Sequence, residues 1–229
     1  DQDLLITGGS ANDNPTATLY LGNGTGGFVE TGTSLTGVDN SSSSIADVDN
    51  DGNQDLLITG RNANGNPSAT VYLGDGNGGF TEAGAGLTGV SNSSTSVADV
   101  DGNGDLDLLI TGRNGNGTRT ATVYLGDGNG DFSQAGASLT GVDNSSSSIA
   151  DVNGDGTQDL LIIGEDASDS PTATLYLGNG SRSFSEAGTG LTGVQDGSTS
   201  IADVYGDGDP DVLITGRSEN FEPTSTLYL

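Results

Sequence analysis

Apolar residues come in short bursts along this chain, separated by runs of Gly, Asn, Asp and Ser, and the bursts return every 52 residues. Asp-Leu-Leu-Ile-Thr-Gly at Asp3 recurs at Asp55 and Asp107, as Asp-Leu-Leu-Ile-Ile-Gly at Asp159, and as Asp-Val-Leu-Ile-Thr-Gly at Asp211. Tyr20, Tyr72, Tyr124, Tyr176 and Tyr228 keep the same step, as do Phe28, Phe80, Phe132 and Phe184. A fixed period of this size marks a repeat architecture, so the fold is read from one unit. No helical periodicity is visible; each unit carries four β signals, A to D. Strand A is Ser43 to Val48. Strand B, Leu56 to Thr59, is a continuous apolar run, the pattern of burial on both faces. Strand C, Ser68 to Leu73, alternates, with Ala69, Val71 and Leu73 on one face and Ser68, Thr70 and Tyr72 on the other. Gly74 to Gly79 make a tight turn, and strand D begins at Phe80 and fades toward Val90.

Four antiparallel strands per repeat predict an all-β fold, a β-propeller built of four-stranded antiparallel blades. One domain spans 1–229, with repeat units 3–54, 55–106, 107–158 and 159–210 and a partial unit 211–229. That makes about five blades with incomplete terminal blades: the first has B, C and D but no A, and the last has A, B and C but no D. A four-bladed ring, in which strand A at Ser200 to Val204 completes the first blade, is the alternative.

Composition narrows the chemistry. The 40 glycines fall at fixed places in the period and read as turn residues. The chain has no Cys, Met, Trp, His or Lys, so it has no disulfide, no thiolate metal site, and no usual base or nucleophile. No apolar run is long enough to span a membrane. The net charge of −27 argues against nucleic acid and anionic membranes as partners, and it requires cations to offset its self-repulsion.

Ahead of strand B, most units carry an acidic loop. In the first complete loop, Asp47, Asp49, Asp51 and Asp55 hold positions 1, 3, 5 and 9, and Asn53 at position 7 offers its backbone carbonyl. Gly52 at position 6 permits the sharp turn. The second loop repeats this with Asp99, Asp101, Asn103, Asp105 and Asp107, and the third with Asp151, Asn153, Asp155, Thr157 and Asp159. The fourth has Asp203, Asp207, Asp209 and Asp211, but Tyr205 stands at position 3 and weakens the set. Oxygen donors without nitrogen or sulfur favour Ca2+, and a flexible loop with many oxygens suits it better than Mg2+. The bland reading is a solvated Asx turn between strands. A bound ion's expected role is to hold strands A and B together.

At these residues the chain resembles the FG-GAP and VCBS repeat group, the calcium-binding blades of integrin α-subunit-like propellers. The resemblance rests on Ile45 to Gly60 and on Val71 to Phe80, and repeats along the whole chain. The literal Phe-Gly and Gly-Ala-Pro signatures are absent, so the VCBS-type variant fits better. The resemblance implies an extracellular or cell-surface propeller with Ca2+ between the first two strands of a blade. It implies no single activity: members serve adhesion and ligand binding.

The expected function is thus a calcium-stabilised structural or adhesion interaction module, and not an enzyme. Expected partners are further copies of itself, as in a surface filament, or other extracellular proteins and glycans. A lectin with repeated sites between blades is the alternative. Arg61, Arg113 and Arg217 share one repeat position and are expected to pair with nearby carboxylates. The tyrosines of strand C are expected to pack between blades.

Overall fold

The computed structural model describes residues 2–188 and 190–229. They form eighteen strands and no helix. The first unit holds β1 (Leu4–Gly9), β2 (Pro15–Gly22) and β3 (Phe28–Glu30). The second holds β4 (Val38–Ala46), β5 (Asp55–Asn62), β6 (Pro67–Gly74) and β7 (Phe80–Ala83). The third repeats it as β8 (Val90–Ala98), β9 (Asp107–Asn114), β10 (Arg119–Gly126) and β11 (Phe132–Gln134). The fourth comprises β12 (Asp143–Ala150), β13 (Asp159–Glu165), β14 (Pro171–Gly178) and β15 (Phe184–Ala187). The fifth has β16 (Gln195–Ala202), β17 (Asp211–Arg217) and β18 (Pro223–Tyr228).

Within each unit every neighbouring strand pair is antiparallel, Leu57 opposite Val71 and Leu109 opposite Val123, for example. The second strand is central, and in the second to fourth units its side chains are buried on both faces, as the unbroken apolar run predicts. Strand A differs from its sequence reading. It starts at Val38, ahead of Ser43, and stops at Ala46, so Asp47 and Val48 already belong to the loop. A β-bulge between Asp39 and Ser42 divides it, with Asn40 at φ 45°. Asn92, Asn144 and Asp196 repeat this left-handed residue, which Asn and Asp tolerate because their short side chains bond locally. Strand D is shorter than expected and ends at Ala83; Val90 opens the next unit.

The units stack through their first strands, with β4, β8, β12 and β16 side by side and β1 against β4. Hydroxyl groups fix the stacking. Thr95 Oγ1 lies 3.1 Å from Ser42 Oγ and 2.7 Å from Ser44 Oγ of the preceding unit. Ser147 repeats this against Ser94 and Ser96, and Thr199 against Ser146 and Ser148. Single bridges join each unit to the next, at Thr16–Val38, Ser68–Val90, Thr120–Val142 and Thr172–Val194. Apolar cores fill the spaces between units: Val48, Leu57 and Val71 of the second meet Val90, Leu108, Ile110 and Tyr124 of the third. Tyr72, Tyr124, Tyr176 and Tyr228 pack in these cores as expected, and each also accepts a backbone hydrogen bond from the connection before its unit, Tyr124 Oη from Thr88 N at 3.0 Å. No sheet among the described residues closes on itself.

Candidate metal centre

Each acidic loop joins the first strand of a unit to the second, so its ends are fixed by a pair of adjacent antiparallel strands. The last Asp of the loop is the anchor. Asp55 is buried; its Oδ2 accepts from Val48 N at 2.8 Å and its Oδ1 from Gly74 N at 2.8 Å. Asp107 does the same with Val100 N and Gly126 N, and Asp159 with Val152 N and Gly178 N. One carboxylate thus ties the loop to its own strand and to the end of the third strand. The first Asp closes the turn: Asp47 accepts from Asp51 N at 3.1 Å and Gly52 N at 2.9 Å. Gly52, at φ 90°, takes a backbone conformation that other residues adopt only with strain, and Gly104, Gly156 and Gly208 repeat it.

These bonds bring carboxylates together. In Asp47, Asp49 and Asp55 the ligand-type oxygens all lie within 4.8 Å of one another, and so do those of Asp99, Asp101 and Asp107. Ca2+ holds oxygens at about 2.3–2.6 Å, so two of its ligands sit up to about 5 Å apart, and both clusters fit that span. Each carboxylate offers about four lone-pair sites, so the backbone bonds leave acceptor capacity for a cation. Crowded like charges raise one another's proton affinity. Asp55 and Asp107 are held above the usual carboxylate range, first by burial and further by the neighbouring carboxylates, against their backbone hydrogen bonds. Asp159 is raised for the same reasons. Asp51 is pulled down by the Asn53 N–H and Asp155 by the Thr157 hydroxyl.

The remaining expected ligands divide. Asn153 stands at position 3 of the third loop and accepts from Asp155 N at 2.9 Å, so that loop has the same shape with one charge fewer. Asp51, Asn53, Asn103 and Thr157 sit in the turn; Asp51 accepts from Asn53 N, and Thr157 donates to Asp155 at 2.6 Å. The Asp105 carboxylate leaves its own loop and accepts from Asn50 Nδ2 at 2.8 Å, which leaves position 7 only its backbone carbonyl. In the fourth loop Asp203 accepts from Gly208 N and Asp207 from Asp209 N, and Asp211 still binds Val204 N. Tyr205 there is 75% exposed and points away, while its backbone N–H goes to Asp211 at 3.0 Å.

Sequence reasoning missed one neighbour of the second cluster. Arg182 Nε donates to Asp101 Oδ2 at 2.9 Å across 81 residues. Its position in the other units is Gly26, Gly78 or Gly130, and that departure from the repeat was the available signal. Arg61, Arg113 and Arg217 pair with Asp39, Asp143 and Asp196. Glu165, which breaks that series, pairs with Arg119, which also binds Asp143 at 2.6 Å.

The FG-GAP-like repeat family matches this sequence three times in succession, at residues 47–110, 99–162 and 151–214. Each match starts at the first Asp of an acidic loop and ends in the second strand of the following unit. Among curated proteins, no sequence matches this chain. The matches overlap at 99–110 and 151–162 and together cover most of the chain, in step with the structural repeat: the chain belongs to the FG-GAP-like repeat family.

Proposed function

We propose that this chain is a calcium-stabilised interaction module of an extracellular or cell-surface protein, with its units arranged as the blades of a β-propeller. The observation that carries the reading is the pair of carboxylate triads, Asp47, Asp49, Asp55 and Asp99, Asp101, Asp107, each within 4.8 Å. Oxygen-only donors on a turning loop select a hard cation, and Ca2+ accepts the irregular geometry that Mg2+ does not. The ion's work is structural: it neutralises charge where the first and second strands of a unit meet. The side-by-side first strands and the apolar packing between units support a propeller. Membership of the repeat family supports an interaction role. Without His, Cys or Lys, we assign no catalysis. Other surface proteins and glycans are the partner classes.

Calorimetric titration of metal-free protein with Ca2+ tests this reading. Three sites are expected, from the first three loops, with the Tyr205 loop silent. A ligand at 100 times its Kd adds about 2.7 kcal/mol to the folded state. For a chain of this size that raises Tm by roughly 5–10 °C per site. A melting curve that excess chelator leaves unchanged from the Ca2+-loaded protein overturns the proposal.

A further inference from the structure

Arg182 stands in the turn between β14 and β15, at φ 73°. Its repeat position in the first three units is Gly26, Gly78 or Gly130, all left-handed as well, so a bulky residue is held here against its backbone preference. Its Nε donates to Asp101 Oδ2 at 2.9 Å. Among the described residues the other four arginines pair with carboxylates outside the acidic loops, and Arg182 alone brings a cation to one. Asp101 belongs to the second triad, and its side chain is only 4% exposed beneath that guanidinium. The equivalent turn of the third unit also lies against the loop before it: a Cβ on Gly128 would come within 2.8 Å of Asn50 Nδ2. There Gly130 holds the position of Arg182, so the first triad receives no charged side chain from that position.

We infer that Arg182 is a built-in competitor for the second cation site, a tethered charge that holds Asp101 in the absence of metal and lowers the affinity of that loop for Ca2+. The inference rests on the calcium reading of the loops and adds a control to one of them. A guanidinium keeps its charge at every working pH and offers no acceptor, so it can neutralise a ligand carboxylate but cannot itself hold a metal. One hydrogen bond beyond a ligand oxygen, its charge repels a divalent ion enough to weaken binding about tenfold even at the dielectric of water. A neutral donor in the same place would act the other way, because a hydrogen bond behind a ligand orients it and raises affinity. Without metal, the same ion pair joins the turn of the fourth unit to the loop of the third and offsets part of the crowded negative charge. The first and second loops also differ at position 5, Asp51 against Asn103, so the comparison that isolates Arg182 is made within the second loop.

Calorimetric Ca2+ titration of the 229-residue chain and of Arg182→Gly, Arg182→Gln and Arg182→Lys tests the inference. Glycine is the repeat's own residue at this turn and the Arg182 side chain is 60% exposed, so the variants should fold, which circular dichroism checks. Arg182→Gly and Arg182→Gln should each tighten one site about tenfold, and Arg182→Lys should stay near wild type. Adding Asp101→Asn to Arg182→Gly should cancel the gain, which places it at the second loop. Melting gives an independent readout. The difference in Tm between Ca2+ and chelator should widen in Arg182→Gly, and the effect of glycine on the turn itself, common to both conditions, drops out. Wild type that binds Ca2+ with the same affinities as Arg182→Gly overturns the competition and leaves the calcium reading standing. Weaker binding in Arg182→Gly and Arg182→Gln also overturns it, by showing that Arg182 positions Asp101 for the metal. Tighter binding in Arg182→Gly alone, with Arg182→Gln like wild type, overturns it by tracing the effect to the turn and not to the charge. Ca2+ binding by neither wild type nor any variant overturns the inference and the calcium reading together.

Discussion

The aspartate at the end of each acidic loop shows how one side chain serves both fold and site. Asp107 is acidic as a cation ligand must be, yet both its oxygens already hold buried backbone N–H groups, of Val100 and Gly126. Removing it leaves two buried donors without partners, each worth about 1–3 kcal/mol. Asp107→Ala should therefore lower stability by roughly 2–5 kcal/mol in urea denaturation, even in excess chelator. Asp105→Ala, two residues away, removes one exposed contact to Asn50 and should cost about 0.5 kcal/mol or less. Equal losses would show that the two carboxylates are not divided between anchoring and surface roles. The loop spacing made Asp107 legible as a ligand. Its anchoring role was not, because Gly126 lies 19 residues downstream and only the strand pairing brings it close.

At the level of the strand, the tyrosines do more than fill space. The Tyr124 ring lies in the core between the second and third units, and its hydroxyl accepts from Thr88 N at 3.0 Å in the connection before its own unit. Tyr72, Tyr176 and Tyr228 repeat the bond to Thr36, Thr140 and Thr192. Tyr124→Phe keeps the ring and orphans the donor, so a loss of about 1–2 kcal/mol is expected by urea denaturation, with faster unfolding. A neutral substitution would mean the ring alone matters. The number and order of strands were readable because apolar bursts and turn residues recur in fixed phase. Their limits were less so. Asp39-Asn40-Ser41 looks like a turn, and the structure does bend there, but as a bulge within β4, with pairing to β5 resumed at Ser42. Polar Ser and Thr in the first strands hid the stacking as well: their hydroxyls bond to the next unit, a contact that alternation within one strand does not reveal.

For the whole molecule, charge decides how stability depends on pH and metal. Asp55, Asp107 and Asp159 have folded-state pKa values raised above the ordinary 3.8, mainly by burial. Metal-free folded protein therefore binds protons that the unfolded chain releases, and its stability falls as pH rises through that window. Asp51 and Asp155 run the other way and lose their contribution only below the ordinary value. In chelator, Tm should rise on acidification from neutrality toward about pH 4.5, still above the ordinary carboxylate range. With saturating Ca2+ the order should reverse, because protons compete with the ion. A chelated Tm that drops over the same interval contradicts the assignment. Near-identical units raise a separate problem, since any one could stack on any other. Arg119 and Glu165 answer it. Arg119 stands where its neighbouring units carry Pro67 and Pro171, and Glu165 where they carry Arg113 and Arg217. Were the fourth unit to stack on any but the third, Glu165 would lose its guanidinium partner; were the third to precede the fifth, Arg119 would face Arg217. A chain that slipped by one unit during folding would thus bring like charges together or strand a half-covered carboxylate. Two departures from the repeat give this array a fixed order and a penalty for miscounting.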